Sequence, residues 1–505
     1  MDSVSSLIEY ESSYYNNILY DLTEDDINQL INQGNKCNNW KNIKFSNSNK
    51  SISSIRNCNF DIKNEDCICI GNFDIKIKIY DDIEVLCGLN NCTFSGSCVI
   101  CNNCYIIDTI HIRNTFICEN SIIIGCGIIN CIGTTSFSNN TQISIGPENG
   151  GRDVYVYTGL KYSSICSSII NRNLDNTITS ISFQSNKNII GFNSIIMKCD
   201  MIRNSLIGSF SSILSSSIDN CTLNSNKDRP IKIYDKATLK SCILNHDCSV
   251  SGSCHAENVY MFESSSLGEY ARVVQSILGP DSSIAGGECH HSLLGPFVGF
   301  HHHSLLIAST WAMGRGNIGY GAKIGANHTG RVNDQECFLG EGCFLGLDST
   351  VKFPFNIIGS PYSIIAANTK CQSQKLTFPF SLIYSGEDNE TVNGLTFIKP
   401  GWILSANPYL IERSDIKYGK RSKSKYHNTK FPILRPSIIE MVIRSLNFLK
   451  RIVDDDKIKN KPFITSNDVE GCECILGKCC LSLKDIEIGI KSYSDLLYRY
   501  AQEVL

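Results

Sequence analysis

Histidines that cluster between positions 290 and 328 are the residues of this 505-residue chain best suited to chemistry. Six of the ten histidines lie there: His290, His291, His301, His302, His303 and His328. An imidazole changes protonation near neutral pH, so it can take a proton from a hydroxyl or an amine and later return it. The cluster therefore favours general acid–base chemistry.

The segment from Asn327 to Glu336 carries the densest set of such groups. His328 is a candidate base, Arg331 can pair with phosphate or carboxylate, and Asp334 or Glu336 can fix the histidine tautomer. We expect His328 to be catalytic and Asn327, Arg331, Asp334 and Glu336 to bind substrate. The alternative is a loop held together by pairs between arginine and carboxylates.

The triplet His301–His303 allows three interpretations: metal ligands, a corner that faces substrate, or imidazoles stacked on neighbouring turns. Adjacent side chains on a strand point to opposite faces, so the three cannot easily bind one ion. We predict no metal, and His302 and His303 are the second candidates for the base.

Four more residues are candidates for substrate binding. Arg315 and Asn317 lie near Trp311 in the sequence and could line a sugar or nucleotide pocket. Arg152 follows consecutive glycines, whose backbone N–H groups could help it to bind an anion. The alternatives are packing of Trp311 on an outer surface and a plain turn around Arg152.

A six-residue repeat of apolar residues defines the elements that must position these groups. One lattice contains Leu294, Phe300, Leu306, Ala312, Ile318 and Ile324. A second, three residues out of phase, contains Leu339, Leu345, Val351 and Ile357. Neither helical spacing nor strict alternation fits. The repeat predicts a three-sided coil of about eighteen residues, with the apolar residue inward and glycine or a small polar residue at the corners.

The breaks between lattices place the segments 286–292 and 326–337, which contain His290, His291 and His328, in loops that leave the coil, where binding sites are usually built. Helices are expected at the ends of the chain: Thr23 and Asp26 can cap one that ends at Gly34, and 435–453 and 481–504 have helical spacing. Five parts are predicted: an N-terminal helical cap (1–50), a first solenoid part (51–146), a loop–helix insertion (147–188), the main hexapeptide solenoid (189–395) and a C-terminal helical region (396–505).

The composition excludes several classes of partner. Lys plus Arg number 46 and Asp plus Glu 49, a net charge of -3, so we expect neither nucleic acid nor membrane as a partner. The first residues show no secretory signal, which predicts a cytoplasmic protein with reduced cysteines.

Segments 317–328 and 337–351 resemble the left-handed β-helix of hexapeptide-repeat transferases, and the handedness is expected from this resemblance alone. Segments 314–336, 351–366, 374–383 and 400–407 resemble an uncharacterised bacterial family labelled as related to UDP-N-acetylglucosamine pyrophosphorylase. No G-x-G-T-R-type phosphate loop is found, so nucleotidyltransferase activity is not expected. The expected fold is mainly β: a parallel left-handed β-helix in two parts, with a short N-terminal helix and C-terminal helices.

The resemblance implies an acyltransferase that acts on a sugar or nucleotide sugar. In hexapeptide acyltransferases a histidine is the base and the acyl carrier lies along the solenoid, usually between the subunits of a trimer. This implies His328 as base, acyl-CoA as donor and a homotrimer. The alternative is a non-catalytic solenoid that binds a sugar nucleotide or a protein.

Overall fold

The computed structural model describes residues 4–14, 18–80, 83–147, 151–171, 184–325, 335–386, 395–427, 431–455, 458, 461–469 and 473–504. The chain divides into two compact units. The first comprises 1–142, 155–160 and 176–270, and the second comprises 143–154, 161–175 and 271–505.

Each unit is built from short parallel strands in three ladders, and every turn of the chain adds one strand to each ladder. Phe94 pairs with Ile112 in ladder 1, Val99 with Phe116 in ladder 2, and Ile106 with Ile123 in ladder 3. The predicted mainly-β parallel solenoid is therefore confirmed, with about 15 turns in all.

In the first unit, ladder 1 contains Lys36–Cys37, Asn59–Asp61, Thr93–Ser95, His111–Arg113, Ile128–Asn130, Met201–Arg203, Ser217–Asp219, Thr238–Lys240 and the start of His255–Met261. Ladder 2 contains Ile43–Phe45, Ile68–Ile70, Cys98–Ile100, Thr115–Ile117, Asn188–Ile190, Leu206–Ile207, Thr222–Leu223, Ile243–Leu244 and the end of His255–Met261. Ladder 3 contains Ile55–Arg56, Gly88–Asn90, Tyr105–Ile107, Ile122–Ile124, Ile195–Met197, Ser212–Leu214, Lys232–Ile233, Ser249–Val250 and Ser266–Gly268.

Further elements of this unit are the helices Val4–Tyr14 and Glu24–Asn32, the 3-10 turns Trp40–Asn42 and Ile52–Ser54, the strand Tyr20–Asp21 and the hairpin of Lys76–Tyr80 and Ile83–Leu86. The predicted cap at Thr23 is confirmed, because its side chain accepts from the Asp26 N–H at 3.2 Å while the Asp26 carboxylate accepts from the Thr23 N–H at 2.9 Å.

In the second unit, ladder 1 contains the start of Arg272–Leu278, Glu288–His290, Leu305–Ile307, Lys323–Ile324, Thr350–Val351 and Lys370–Cys371. Ladder 2 contains the end of Arg272–Leu278, Leu293–Leu294, Ser309–Trp311, Cys337–Phe338, Phe355–Asn356 and Gln374–Lys375. Ladder 3 contains Ser283–Ala285, Gly299–Phe300, Asn317–Ile318, Phe344–Leu345, Ile364–Ile365 and Leu382–Tyr384, and Thr396–Lys399, Cys479–Ser482 and Phe463–Ile464 extend it.

The helices of the second unit are Tyr162–Asn171, Trp402–Ala406, Tyr409–Arg421, Pro436–Val453, Glu473–Leu476 and Leu483–Val504, with a 3-10 turn at Ser466–Asp468. The predicted helices at 435–453 and 481–504 are thus confirmed to within two residues. The strands Thr141–Ile145 and Arg152–Val156 pair as a two-stranded sheet. None of the described helices has the length and apolar character needed to cross a membrane.

The six-residue lattice correctly identifies the inward column of the second unit, with one exception. Leu294, Phe300 and Leu306 are no more than 1% exposed. The prediction that Ala312 points inward is wrong, because Trp311 pairs with Leu294 and is fully buried, while Ala312 is only half-buried.

Cysteines occupy the interior of the coils. The thiols of the fully buried Cys98 and Cys104 donate to the carbonyl oxygens of Ser95 (3.3 Å) and Cys118 (3.2 Å). Burial raises the pKa of Cys98 to about 11, so that thiol stays protonated at neutral pH. These residues serve as small apolar side chains rather than thiolate ligands.

Candidate functional site

The predicted site residues of the second unit fall on three different corners of the coil. The first corner joins ladder 1 to ladder 2 and includes His291 and Gly325. The second joins ladder 2 to ladder 3 and includes Arg315. The third joins ladder 3 to ladder 1 and includes His301–His303. A single pocket built from all of these residues is not observed.

Asn327, His328, Arg331 and Asp334 lie outside the described residues, in the segment 326–334. Its two flanks belong to the ladders. The Gly325 N–H donates to Val351 O at 3.0 Å, and the Cys337 N–H donates to Ala308 O at 3.0 Å. Both ends of the segment are therefore held by ladder hydrogen bonds.

Gly325 is required at the start of this segment. Its φ is +89°, and a Cβ atom there would lie 2.3 Å from Cζ of Phe353. A side chain would meet both the unfavourable backbone conformation and the ring.

A buried ion pair holds the end of the segment. Glu336 Oε1 accepts from Arg152 Nε at 2.9 Å, and Oε2 accepts from Nη2 at 2.8 Å. Arg152 also donates to the carbonyl oxygen of Ile169 and lies 4.9 Å from the centroid of the Phe338 ring. The Arg152 guanidinium thus pairs with a carboxylate of the protein itself. This contact favours the alternative of arginine–carboxylate pairs over the prediction that Arg152 binds an anion.

The strand–loop region around residue 144 packs on the same corner. The Ser144 N–H donates to Gln275 Oε1 at 2.9 Å, and the Gly146 N–H donates to His291 O at 2.9 Å. Nδ1 of His291 lies 3.0 Å from Ser144 O, so this nitrogen carries the proton that the carbonyl accepts. Two hydrogen bonds from backbone N–H groups and one imidazole therefore fix the first corner at His291.

His290 adds a titratable group to this corner. Its Nε2 lies 3.6 Å from Glu288 Oε2, and its side chain is 22% exposed. Burial lowers the pKa of His290, although the Glu288 carboxylate opposes the shift. His290 is thus mainly neutral at pH 7 and able to accept a proton.

Arg315 lies at the second corner of its turn. Bulky residues at the same corner of other turns adopt the same backbone conformation. Phe297, Arg315, Tyr362 and Phe380 have φ values of +58°, +59°, +56° and +56°. The expectation of glycine or a small polar residue at the corners is wrong here. Ladder-type hydrogen bonds hold these residues in the left-handed region, such as that from the Arg315 N–H to Pro296 O at 2.6 Å.

The Arg315 side chain is buried in a charged cluster. Its guanidinium carbon lies 3.8 Å from the centroid of the Phe431 ring, and Nη1 lies 3.5 Å from Glu341 Oε1. Glu341 also accepts from Tyr362 at 2.5 Å and from Arg435 Nη1 at 3.1 Å. Arg315 therefore acts as one partner in an Arg–Glu–Arg arrangement, where it is 3% exposed and does not face a ligand.

Trp311 and Asn317 lie within the coil rather than around a pocket. Trp311 is fully buried and its indole N–H donates to Gly340 O at 2.7 Å. Asn317 is half-buried between Gly299 and Phe344 in ladder 3, and its Oδ1 lacks a partner within the described part of the chain. The packing interpretation of Trp311 is thus favoured, in the core instead of on the outer surface.

The third corner displays three exposed imidazoles. His301, His302 and His303 are all exposed, and the ring of His303 meets that of Tyr320 edge to face at 5.5 Å. Over the described residues, no group of three or more His, Cys, Asp or Glu side chains is arranged to hold a metal ion.

Glu341 was missed by the sequence analysis although it is central to the second corner. Its local signal is an acid between two glycines inside an otherwise apolar repeat, in "LGEGCFLG". Its partner Arg435 lies 94 positions away, and nothing in the repeat indicates that distance.

Comparisons with known proteins place the chain in a family. A family model described as a domain of unknown function, DUF4954, matches residues 19–453. An uncharacterized protein of Treponema pallidum (strain Nichols) is 25% identical over 461 residues, which cover 86% of this chain and 61% of that protein. The bifunctional protein GlmU of Lawsonia intracellularis (strain PHE/MN1-00) is 28% identical over 127 residues, 25% of this chain and 27% of that protein. The chain thus spans about three fifths of the first relative, and since the family model covers most of its length, it belongs to the DUF4954 family.

Proposed function

We propose that this protein is a hexapeptide-repeat transferase-like enzyme that acylates a sugar or nucleotide sugar with acyl-CoA as donor. The observation that carries the proposal is the first corner, where both residues that flank the acid–base-rich sequence 326–334 are fixed: Gly325 by a ladder hydrogen bond and Glu336 by the buried pair with Arg152. Reactive groups displayed by a rigid scaffold keep the geometry that catalysis needs. The partial match to a bifunctional GlmU protein adds support.

In the proposed reaction, His328 takes the proton from an acceptor hydroxyl or amine, whose oxygen or nitrogen attacks the thioester carbonyl. The carbon–sulfur bond breaks, and coenzyme A leaves as a thiolate that takes up a proton. Arg331, with Asn327 and Asp334, binds the acceptor. His302 and His303 are the alternative bases.

The proposal includes two features of hexapeptide transferases: coils that wind left-handed and a homotrimer in which the donor lies between subunits. Sedimentation equilibrium tests the second feature. A mass three times that of the 56.1 kDa chain supports it, and the mass of one chain contradicts it.

Release of coenzyme A from acetyl-CoA, measured across a panel of sugars, sugar phosphates and nucleotide sugars, tests the activity. We expect His328→Ala to lower turnover by about 10²- to 10⁴-fold with folding intact. His302→Ala tests the alternative base, and His255→Ala is the control, because His255 is a half-buried histidine of the first unit, outside the proposed site. Full activity of His328→Ala would remove the assignment.

A non-catalytic solenoid that binds a sugar nucleotide or a protein is the second candidate. It is favoured by the burial of Arg152, Glu336 and Arg315 in ion pairs within the protein, which removes three charged groups from substrate contact. Thermal-shift measurements separate the two functions. A shift with acetyl-CoA favours the transferase, whereas a shift with UDP-sugars and none with acetyl-CoA favours the binding protein.

A further inference from the structure

A cleft of about 540 Å³ lies in the second unit. It forms where the parallel ladder ends: Leu382–Tyr384 pairs antiparallel with Thr396–Lys399, which in turn pairs with Cys479–Ser482. The helix Trp402–Ala406 and the start of Leu483–Val504 complete its lining. The volume lies in the range of small-molecule pockets, about 300–1,000 Å³.

Aromatic rings form one wall of the cleft. Tyr384 and Phe397 stack with centroids 5.5 Å apart and planes 27° from parallel, and Phe463 meets Phe397 edge to face at 5.3 Å. Trp402 lines the same cleft and is half-buried. Phe397 is 2% exposed, whereas Tyr384, Phe463 and Trp402 are half-buried, so these three rings are the ones on which a planar or sugar ring can stack.

The charged groups of the cleft favour an anion. Among the described residues, its lining includes Lys399, Lys484 and one carboxylate, that of Asp485. Nζ of Lys399 lies 5.0 Å from the centroid of the Tyr384 ring, so a cation stands directly beside the aromatic wall. The Asp485 carboxylate already accepts from the Ser482 hydroxyl at 2.6 Å. The described lining thus carries a net positive formal charge next to the aromatic wall.

We propose that this cleft binds a nucleoside diphosphate or a ligand that contains one. A purely apolar ligand would leave Lys399 desolvated without a partner, and inorganic phosphate would not use the aromatic wall. A nucleotide satisfies both features, because its ring can stack on the wall and its phosphates can reach the lysines. The site is separate from the proposed acyl-transfer site at the first corner and does not depend on it.

Trp402 gives the measurement that tests the proposal. The chain has only two other tryptophans, Trp40 and Trp311. Titration of the full chain with UDP and with ADP should quench tryptophan fluorescence to saturation, and Trp402→Phe should remove most of the quenching. Uridine and inorganic phosphate should each bind at least tenfold more weakly than UDP.

Matched variants assign the binding to the cleft. Lys399→Met should weaken UDP binding at least tenfold and Lys484→Met less, because Lys484 is exposed. Lys420→Met, on the exposed face of Tyr409–Arg421, should bind as the wild type does. Unchanged melting temperatures show that the variants fold. Absence of UDP and ADP binding, or equal binding by Lys399→Met and wild type, would overturn the proposal. His328→Ala should keep wild-type UDP affinity, so that failure of the acyl-transfer proposal is recognised separately.

Discussion

Arg152 and Glu336, which are 184 positions apart in the sequence, form a two-point ion pair with side chains only 6% and 9% exposed. A carboxylate held by two parallel N–H groups is fixed in both position and orientation. The pair therefore joins the strand Arg152–Val156 to the residue that directly precedes the ladder 2 strand Cys337–Phe338. Both residues were predicted to bind substrate, and in the structure they contact each other.

Removal of one partner from this pair should be costly. Glu336→Ala leaves the Arg152 guanidinium buried without its carboxylate, which typically lowers the free energy of unfolding by about 3–5 kcal/mol. Guanidinium denaturation followed by circular dichroism measures the loss. Glu440→Ala removes the exposed pair with Arg444 and should cost about 0–1 kcal/mol. Equal effects of the two substitutions would contradict the structural role of Arg152 and Glu336.

Trp311→Phe should destabilise the second unit because Trp311 is a core residue. The substitution removes the indole N–H that donates to Gly340 O, and the unpaired buried carbonyl typically lowers the free energy of unfolding by about 1–3 kcal/mol. The smaller ring also leaves a small cavity. Denaturation measures the change, and Trp40→Phe, at a half-buried tryptophan of the first unit, is the comparison. A stability unchanged by Trp311→Phe would argue against the buried placement of this side chain.

Asp415 should make stability depend on pH. Burial raises the pKa of Asp415 above its usual value, although Arg315 and Arg435 oppose the shift. The folded state thus binds the proton more tightly than the unfolded state, and stability falls as pH rises from about 4 through the folded-state pKa. An asparagine can still accept from the Ile433 N–H, which lies 3.1 Å from Oδ1.

Asp415→Asn should therefore be more stable than wild type at pH 7, and the difference should disappear below about pH 4. Thermal unfolding at a series of pH values measures both. A variant that is less stable than wild type at pH 7 would show that the carboxylate stabilises the fold by pairing with the arginines.

Cys67 should be the thiol that reacts first with iodoacetamide. The sulfur atoms of Cys67 and Cys69 lie 3.9 Å apart, and a hydrogen bond between them, together with the positive charge of Lys44 and Lys187, lowers the pKa of Cys67 to about 7. Burial raises the pKa of Cys166 to about 11. Mass spectrometry should show alkylation of Cys67 whose rate rises as pH increases through 7.

Cys67→Ser should remove this fast alkylation, and Cys166→Ser should leave it unchanged. Fast labelling that persists in Cys67→Ser, or a rate that does not respond to pH between 6 and 8, would contradict the expected thiolate.

The solenoid could be predicted because its physical requirement is periodic. Each coil must bury one aliphatic residue per side, so Leu294, Phe300 and Leu306 appear at regular intervals. The error at Ala312 has a local cause: Trp311 fills the interior beneath Leu294, and Gly316 provides space for its ring, since a Cβ there would lie 1.9 Å from Trp311 Cζ2.

The site was less predictable because its contacts are not periodic. The histidines that are close in sequence fall on different corners, since His291 and His301, only ten positions apart, are separated by two of the three sides of the coil. The partners of Arg152 and Arg315 lie in distant segments or inside the repeat, and a single sequence contains no signal that pairs them.

Hydrogen–deuterium exchange of the full chain with saturating acetyl-CoA tests the central claim most directly, because it locates donor binding without requiring the acceptor. The proposed function predicts slower exchange in peptides that span residues 325–338 and no change in peptides that span 299–304. No protection at 325–338, or protection confined to 299–304 or to the cleft peptides at 395–406, would contradict the assignment of the acyl-transfer site to the first corner.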